Sequence, residues 1–372
     1  MVVVVPLVGG RVVVGLACPG PVASGAVARR DAVGGAGGEQ RGDHEGHERG
    51  DRTGKTGGPH RGTWARNGGC RTPPTRGDAA CGTVSYPAER RVQGQLRAEL
   101  RATLDEVRAA EVVHADETPQ PVLEPGGTKR SYVWNFTTPT LAAYVHSATG
   151  SGSTPERILA GSAGFLVADA YSGHNSVTSP DSRTRAGCLA HARRKFVEAE
   201  GQAHDEVRWL VDQIARIYAV EKAARESGIA GTAKHRELRN SESKPIMDQI
   251  RAWILEQKSR ARPRSDFGKA LAYADNQWDA LTVFLDNPAV APDNNLAERM
   301  LRRIALARKA SMFVAHDDSG QRYAINLSLV ASCRLNDIDP VAYLTDVLPR
   351  IADHPAKRIT ELLPDRWISS TA

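Results

Sequence analysis

Residues 164–173 read GFLVADAYSG, an apolar run that ends on a carboxylate, Asp169. Phe165, Leu166 and Val167 form a short apolar stretch between a glycine and a polar loop, which predicts a buried strand. Acidic side chains are seldom buried unless they are paired or bind a metal. In open sheets ligands gather at the carboxyl ends of strands. Asp169 therefore stands where a site is expected, not where a core is.

Working upstream, STPERILAGSAG (153–164) predicts a short helix with Ser153 or Thr154 as its cap and Pro155 at its first position. LAAYVHSA (141–148) and SYVWNFTT (131–138) are rich in aromatic and β-branched residues and read as strands. EVVHADET (111–118) is a further short apolar run, with Asp116 on or at the end of a strand, and Gly126-Gly127 supplies a turn after it. Before it, Leu96, Leu100, Leu104 and Val107 recur at helical spacing. The order strand, strand, strand, helix, strand predicts an α/β fold, a mixed sheet flanked by helices.

Downstream, residues 189–290 predict an almost wholly helical segment. Val207, Val211, Ile214 and Tyr218 share a face, with Gly228 as the stop. Pro245 begins a second helix with Ile246, Ile250, Trp253 and Ile254 inward; Ser265 caps a third carrying Leu271, Trp278 and Leu281. Asp293 precedes NLAERMLRRIALARK (295–309), another helix, which holds Glu298 in its first turn. The chain closes with DPVAYLTDVLPRI (339–351) and ITELLPDRW (359–367), a short helical tail.

The composition shifts near residue 90. Residues 1–90 hold 20 of the 34 glycines, two leucines and no isoleucine, too little apolar surface to offset chain entropy. Three readings arise: a basic arm on DNA phosphates, disorder without a role, and text translated out of frame; the last fits best. GDRTGKT (50–56) imitates a phosphate loop but has three residues between its glycines where the motif needs four. The start, MVVVVPLVGG, lacks the basic leading region of a signal peptide, and no run of about 18 apolar residues predicts a membrane span. The net charge of +6 permits a nucleic-acid partner without requiring one. Five cysteines with no CxxC pair argue against a disulfide framework or a structural zinc site and fit a reducing compartment.

Three carboxylates, Asp116, Asp169 and Glu298, come from three separate elements. Phosphodiester cleavage must activate a water or hydroxyl and stabilise a leaving oxygen, and two divalent ions about 3.5–4 Å apart can do both. Hard cations of this kind take oxygen ligands, so three such carboxylates suit them. Taken singly, each is equally compatible with a helix cap or a surface charge.

VVHADETP, FLVADAYSGHNSV, RAGCLAHARRKFVEA, DNNLAERMLRRIALARK and IDPVAYLTDVLPRI resemble, in order and rough spacing, the signature blocks of the insertion sequence 66 transposase family. The resemblance covers roughly residues 92–367. It implies a ribonuclease H-like mixed sheet flanked by helices, with an all-helical insertion before the catalytic glutamate. It implies DDE-type DNA transposition, with Asp116, Asp169 and Glu298 as catalytic carboxylates holding two Mg²⁺ or Mn²⁺ ions. The expected domains are an N-terminal segment (1–90), the first part of the core (91–188), the helical insertion (189–290), a core helix with its adjoining segment (291–335) and a helical tail (336–372). The expected partners are transposon-end and target DNA and further copies of the chain on that DNA, in the bacterial cytoplasm at the nucleoid and away from membranes. Arg193, Arg194 and Lys195, and Arg299, Arg302, Arg308 and Lys309, are expected to contact phosphates, with solvated helix faces as the alternative. Arg303 belongs to the same basic cluster; it replaces a proline of the family pattern, as Ala307 replaces a glycine and Ala310 an asparagine. Glu117 tunes the site or orients its loop, His191 positions a water or phosphate or packs in the core, and Cys188 reads as a core thiol. The alternatives are a truncated or frameshifted transposase remnant and a general ribonuclease H-like nuclease. The N-terminal coiled coil and zinc- and DNA-binding modules usual in the family are not legible in residues 1–90.

Overall fold

The computed structural model describes Leu7–Val8, Arg11–Val12 and residues 86–178, 182–309 and 312–369. The expectations for residues 1–90 and for Ala310 lie outside these residues, apart from an antiparallel pair, β1 (Leu7–Val8) with β2 (Arg11–Val12), and the first turn of α1.

From α1 (Tyr86–Ala109) the chain runs into β3 (Val112–Pro119), a two-strand ribbon of β4 (Val122–Glu124) and β5 (Gly127–Lys129), then β6 (Tyr132–Thr137) and β7 (Ala142–Ser147). After α2 (Ser153–Leu159) come β8 (Phe165–Val167) and β9 (Thr184–Ala186). The main sheet has five strands in the order β7-β6-β3-β8-β9. β7, β6 and β3 pair antiparallel, whereas β3, β8 and β9 pair parallel, so β3 joins the two halves of a mixed sheet.

Alternation along the strands assigns two faces. Val113, Ala115, Trp134, Phe136, Leu166 and Ala168 bury against Val107 of α1 and Ile158 and Leu159 of α2. On the other face Val133, Ala142 and Tyr144 meet Met300, Leu301 and Ile304 of α9 (Asn295–Ala307) and Ala324 of α10 (Asp317–Leu335). α10 also covers the edge strand β7: the Ser328 and Ser332 hydroxyls accept from the Tyr144 and Ala142 N–H groups at 2.8 and 3.0 Å. That satisfies edge donors that would otherwise invite another strand. α11 (Pro340–Ile351) comes next and packs with α1 through Tyr343, Val347 and Ile351.

Every regular element from Leu189 to Asp286 is helical. α3 (Leu189–Glu198), α4 (His204–Glu226), α6 (Lys244–Arg260), α7 (Asp266–Asn276) and α8 (Trp278–Asp286) share one core with Val167 and Ala186 of the sheet, and the short α5 (Ala233–Leu238) lies between α4 and α6 in the chain. Inside it Arg239, 1% exposed, grips Glu221 with two bonds of 2.7 Å and donates to the Asn287 carbonyl at 2.9 Å. Breaking such a buried pair strands a charge.

Several local expectations differ from the structure. The cap of α2 is Gly152, with Ser153 and Thr154 inside the first turn. The third predicted helix of the insertion divides at Gln277 into α7 and α8, although Ser265 caps α7 as expected, accepting from Gly268 N at 3.0 Å. Within the segment read as almost wholly helical, α5 and the π-turn Arg239–Ser243 precede α6 as separate elements that the sequence does not mark, and β9 forms where the sequence marks no element. Pro245 and Gly228 act as predicted, Gly228 at a φ of 65°.

Candidate active site

The parallel register of β3 and β8 pairs His114 with Val167. Two residues further along each strand direction stand Asp116 and Asp169, so the two carboxylates leave the sheet side by side. Both continue the parity of His114 and Val167, which puts them on the face that α9 covers. Asp116 lies within β3, not at its end, opposite Asn135 of β6, whose buried Nδ2 has no hydrogen-bond partner among the described residues. Asp169 follows β8 in a loop that it stabilises itself, its Oδ1 accepting from Tyr171 N at 2.9 Å.

Glu298 reaches this place because Asn294 pins the start of α9 to β3. Asn294 is fully buried. Its Nδ2 donates to the Ala115 carbonyl at 2.8 Å, its Oδ1 lies 3.1 Å from His114 Nδ1, and its carbonyl accepts from Glu298 N at 3.1 Å. One residue thus ties the residue before Asp116, through its side chain, to the helical turn that carries Glu298, through its backbone carbonyl. Nothing in the sequence singles out Asn294, because an Asn beside a helix start reads as an ordinary cap; the contact spans 179 positions.

The electrostatics show how near the acids are. Burial raises the Asp116 carboxyl to about 7, and the charges of Asp169 and Glu298 push the same way, against the Glu117 N–H bond and Arg194. Glu117 is raised to about 8 by burial, then by Asp116 and Asp169. Asp116 therefore feels Asp169 and Glu298, and Glu117 feels Asp116 and Asp169. Arg185 of β9 holds the loop after β8: it donates to the carbonyls of Asp169 and Tyr171, the latter at 2.9 Å, and to Asn175 Oδ1 at 2.8 Å. No sequence signal marks Arg185, because its role depends on β9 lying beside β8. Burial drives His114 and His174 each down to about 4, so both are neutral imidazoles at pH 7.

Glu298 also meets α3. His191 Nδ1 is 3.4 Å from its Oε1 and Arg194 Nη2 is 3.7 Å from its Oε2. Arg194, expected on phosphate, thus stands over the acids. Among the described residues, the one group of three or more His, Cys, Asp or Glu whose ligand atoms all lie within 4.8 Å of one another is Cys188, His191 and Glu298. Asp116, Asp169 and Glu298 are not drawn that close. A pair of ions needs ligands spread more widely than a single ion does, and the three acids offer only the hard oxygen donors that Mg²⁺ or Mn²⁺ takes.

The basic residues divide. Arg193, Arg299, Arg302 and Lys309 are exposed. Lys195 is exposed with its ammonium 4.8 Å from the Tyr273 ring centre, and Arg308 donates to the Pro119 carbonyl at the end of β3. Arg303 is half-buried near Tyr144 and Arg334. No helix among the described residues is long and apolar enough to cross a membrane.

Comparison with known proteins gives concordant matches. A family model described as "Transposase IS66 family" matches residues 82–322, and one described as "IS66 C-terminal element" matches residues 328–364. Among curated relatives, protein y4hP of Sinorhizobium fredii (strain NBRC 101917 / NGR234) is 32% identical over 289 residues, 72% of this chain and 52% of y4hP. Protein y4jD of the same organism is 32% identical over 282 residues, 70% of this chain and 54% of y4jD. The chain spans about half the length of the curated relatives it matches.

Proposed function

The chain belongs to the IS66 transposase family, and from that premise we propose that it is a DDE-type DNA transposase with a ribonuclease H-like core. Asp116, Asp169 and Glu298 are its catalytic carboxylates. The observation that carries the reading is the gathering of these acids: Asp116 within β3, Asp169 in the loop just after its parallel neighbour β8, and Glu298 delivered by the Asn294 clamp, with Asp169 and Glu298 both acting electrostatically on Asp116. Like charges held together in a folded chain are costly without a counter-ion.

Two Mg²⁺ or Mn²⁺ ions held by these carboxylates would supply the Lewis acidity that activates a water, or a freed 3′-hydroxyl, and stabilises the departing oxygen. The protein's part is placement. Asp116 and Asp169 are fixed by strand register and by their bonds to the Glu117 and Tyr171 N–H groups. Arg194 pairs with Glu298 Oε2 at 3.7 Å, and His191 stands beside its Oε1 at 3.4 Å. Arg299, Arg302 and Lys309, exposed on and just after α9, bind phosphates and bring the polyanion to the acids. The reading extends to strand transfer into target DNA by an assembly of several copies. The expected domain boundaries are retained as part of this proposal, with 189–290 as the insertion.

The test is cleavage of transposon-end DNA with Mg²⁺ or Mn²⁺. Asp116→Asn, Asp169→Asn and Glu298→Gln each remove a ligand charge while keeping shape, and each lowers strand cleavage by orders of magnitude with DNA binding retained. Normal cleavage by any one of them removes that residue from the site. DNA binding without cleavage under every divalent ion favours a catalytically idle remnant, and cleavage indifferent to transposon ends favours a general nuclease.

A further inference from the structure

Cys188 reads from the sequence as a core thiol, and its surroundings say more. It is 1% exposed, at the residue preceding α3, and Asn294 N donates to its Sγ at 3.3 Å. His191, one turn on, and Glu298, across on α9, complete a set whose ligand atoms all lie within 4.8 Å of one another. His191 Nδ1 and Glu298 Oε1 face each other at 3.4 Å, and neither buried atom has a hydrogen-bond partner among the described residues. A tetrahedral zinc site has bonds of about 2.0–2.3 Å, which set ligand–ligand edges of about 3.3–3.8 Å. The His191–Glu298 separation already falls in that range.

We infer that Cys188, His191 and Glu298 form a site for one soft or borderline divalent cation, of the Zn²⁺ class, separate from the hard-ion pair and sharing Glu298 with it. The donor chemistry selects the ion. A thiolate and an imidazole suit Zn²⁺ or Co²⁺ and are poor ligands for Mg²⁺. Binding expels the thiol proton to solvent; the resulting thiolate keeps the Asn294 N–H bond, a donor of the kind that tunes metal sites from behind the ligand. Three protein ligands leave a fourth position open. Arg194, 57% exposed at its side chain and 3.7 Å from Glu298 Oε2, stands at the solvent side.

The shared ligand has a consequence that rests on the proposed function: an ion in this site withdraws Glu298 from the metal pair, so Zn²⁺ inhibits Mg²⁺-dependent cleavage. The site itself does not depend on that reading.

The experiment is a Co²⁺ titration of the metal-free full chain, followed by absorption, with Zn²⁺ as competitor. One Co²⁺ per chain with a thiolate-to-cobalt charge-transfer band, displaced by Zn²⁺, is expected. Cys188→Ser abolishes the band, and His191→Ala lowers Co²⁺ affinity at least tenfold. Asp116→Asn leaves the band intact, which separates this site from the carboxylate pair. No band in the wild-type chain, or a band that persists in Cys188→Ser, overturns the site. Should Cys188→Ser fail to fold, unchanged affinity in His191→Ala overturns it. Zn²⁺ that fills the site while Mg²⁺-dependent cleavage continues undiminished refutes the withdrawal of Glu298.

Discussion

Asp116→Asn makes the metal-free protein more stable at pH 8, by an amount that the structure sets. The carboxyl is pushed from the usual 3.8 to about 7, first by burial and then by Asp169 and Glu298. Between about pH 4 and 7 the folded chain keeps a proton that the unfolded chain has released, so stability falls as pH rises through that window and stays low above it. A difference of about three pH units at 1.36 kcal/mol each sets a ceiling of about 4 kcal/mol. Relaxation and solvent screening reduce this to about 1–3 kcal/mol. Asparagine removes the penalty and keeps an oxygen to accept from Glu117 N, now at 2.9 Å. Glu117, raised to about 8 by burial and then by Asp116 and Asp169, loses the Asp116 part of its shift in the variant, which adds to the gain at pH 8. His114 and His174, lowered to about 4, act the opposite way, removing stability as pH falls from 6.5 toward 4, and they are common to both chains. Thermal melts of the two chains in chelator at pH 4.5 and pH 8 report the Asp116 charge together with its effect on Glu117. The variant gains about 2–8 °C at pH 8 and much less at pH 4.5, and Mg²⁺, which stabilises the wild type by mass action, stabilises the variant far less. Equal melting at pH 8, with an undiminished response to Mg²⁺, would refute the crowding of acids around Asp116.

The same geometry sets two further outcomes. Asn294→Ala leaves the Ala115 carbonyl and the His114 nitrogen without their partner, which costs about 2–3 kcal/mol in denaturant melts. It also loosens Glu298 relative to Asp116, so cleavage falls about 10²-fold while DNA affinity changes little. Arg302→Ala, on the exposed side of α9, weakens DNA binding and lowers its salt slope by about 1, with Mg²⁺ stabilisation of the folded chain intact.

The strands around Asp116 and Asp169 are legible because apolar runs and β-branched residues report strands locally, and the main helices because 3.6-residue periodicity, Pro245, Ser265 and Gly228 mark them. Short elements without such marks are not. β9 has three residues, TRA, and no pattern of its own, and α5 follows no apolar period. The basic residues are legible only as types. Charge in sequence does not say that Arg303 turns toward Tyr144, that Arg308 bonds to Pro119, or that Arg194 stands over Glu298.

By itself the sequence determined a mixed α/β chain with a long helical segment, an aspartate within each of two strand regions and a glutamate in the first turn of a later helix, because each arises from residues within one turn or one strand of one another. Tertiary structure alone decided that β3 and β8 lie parallel with His114 opposite Val167, which sets Asp116 beside Asp169. It alone decided that Asn294 bridges to Ala115 and that Cys188 and His191 stand against Glu298. These contacts join positions up to 180 residues apart; burial and hydrogen-bond satisfaction select them across the whole fold, and no local pattern encodes them.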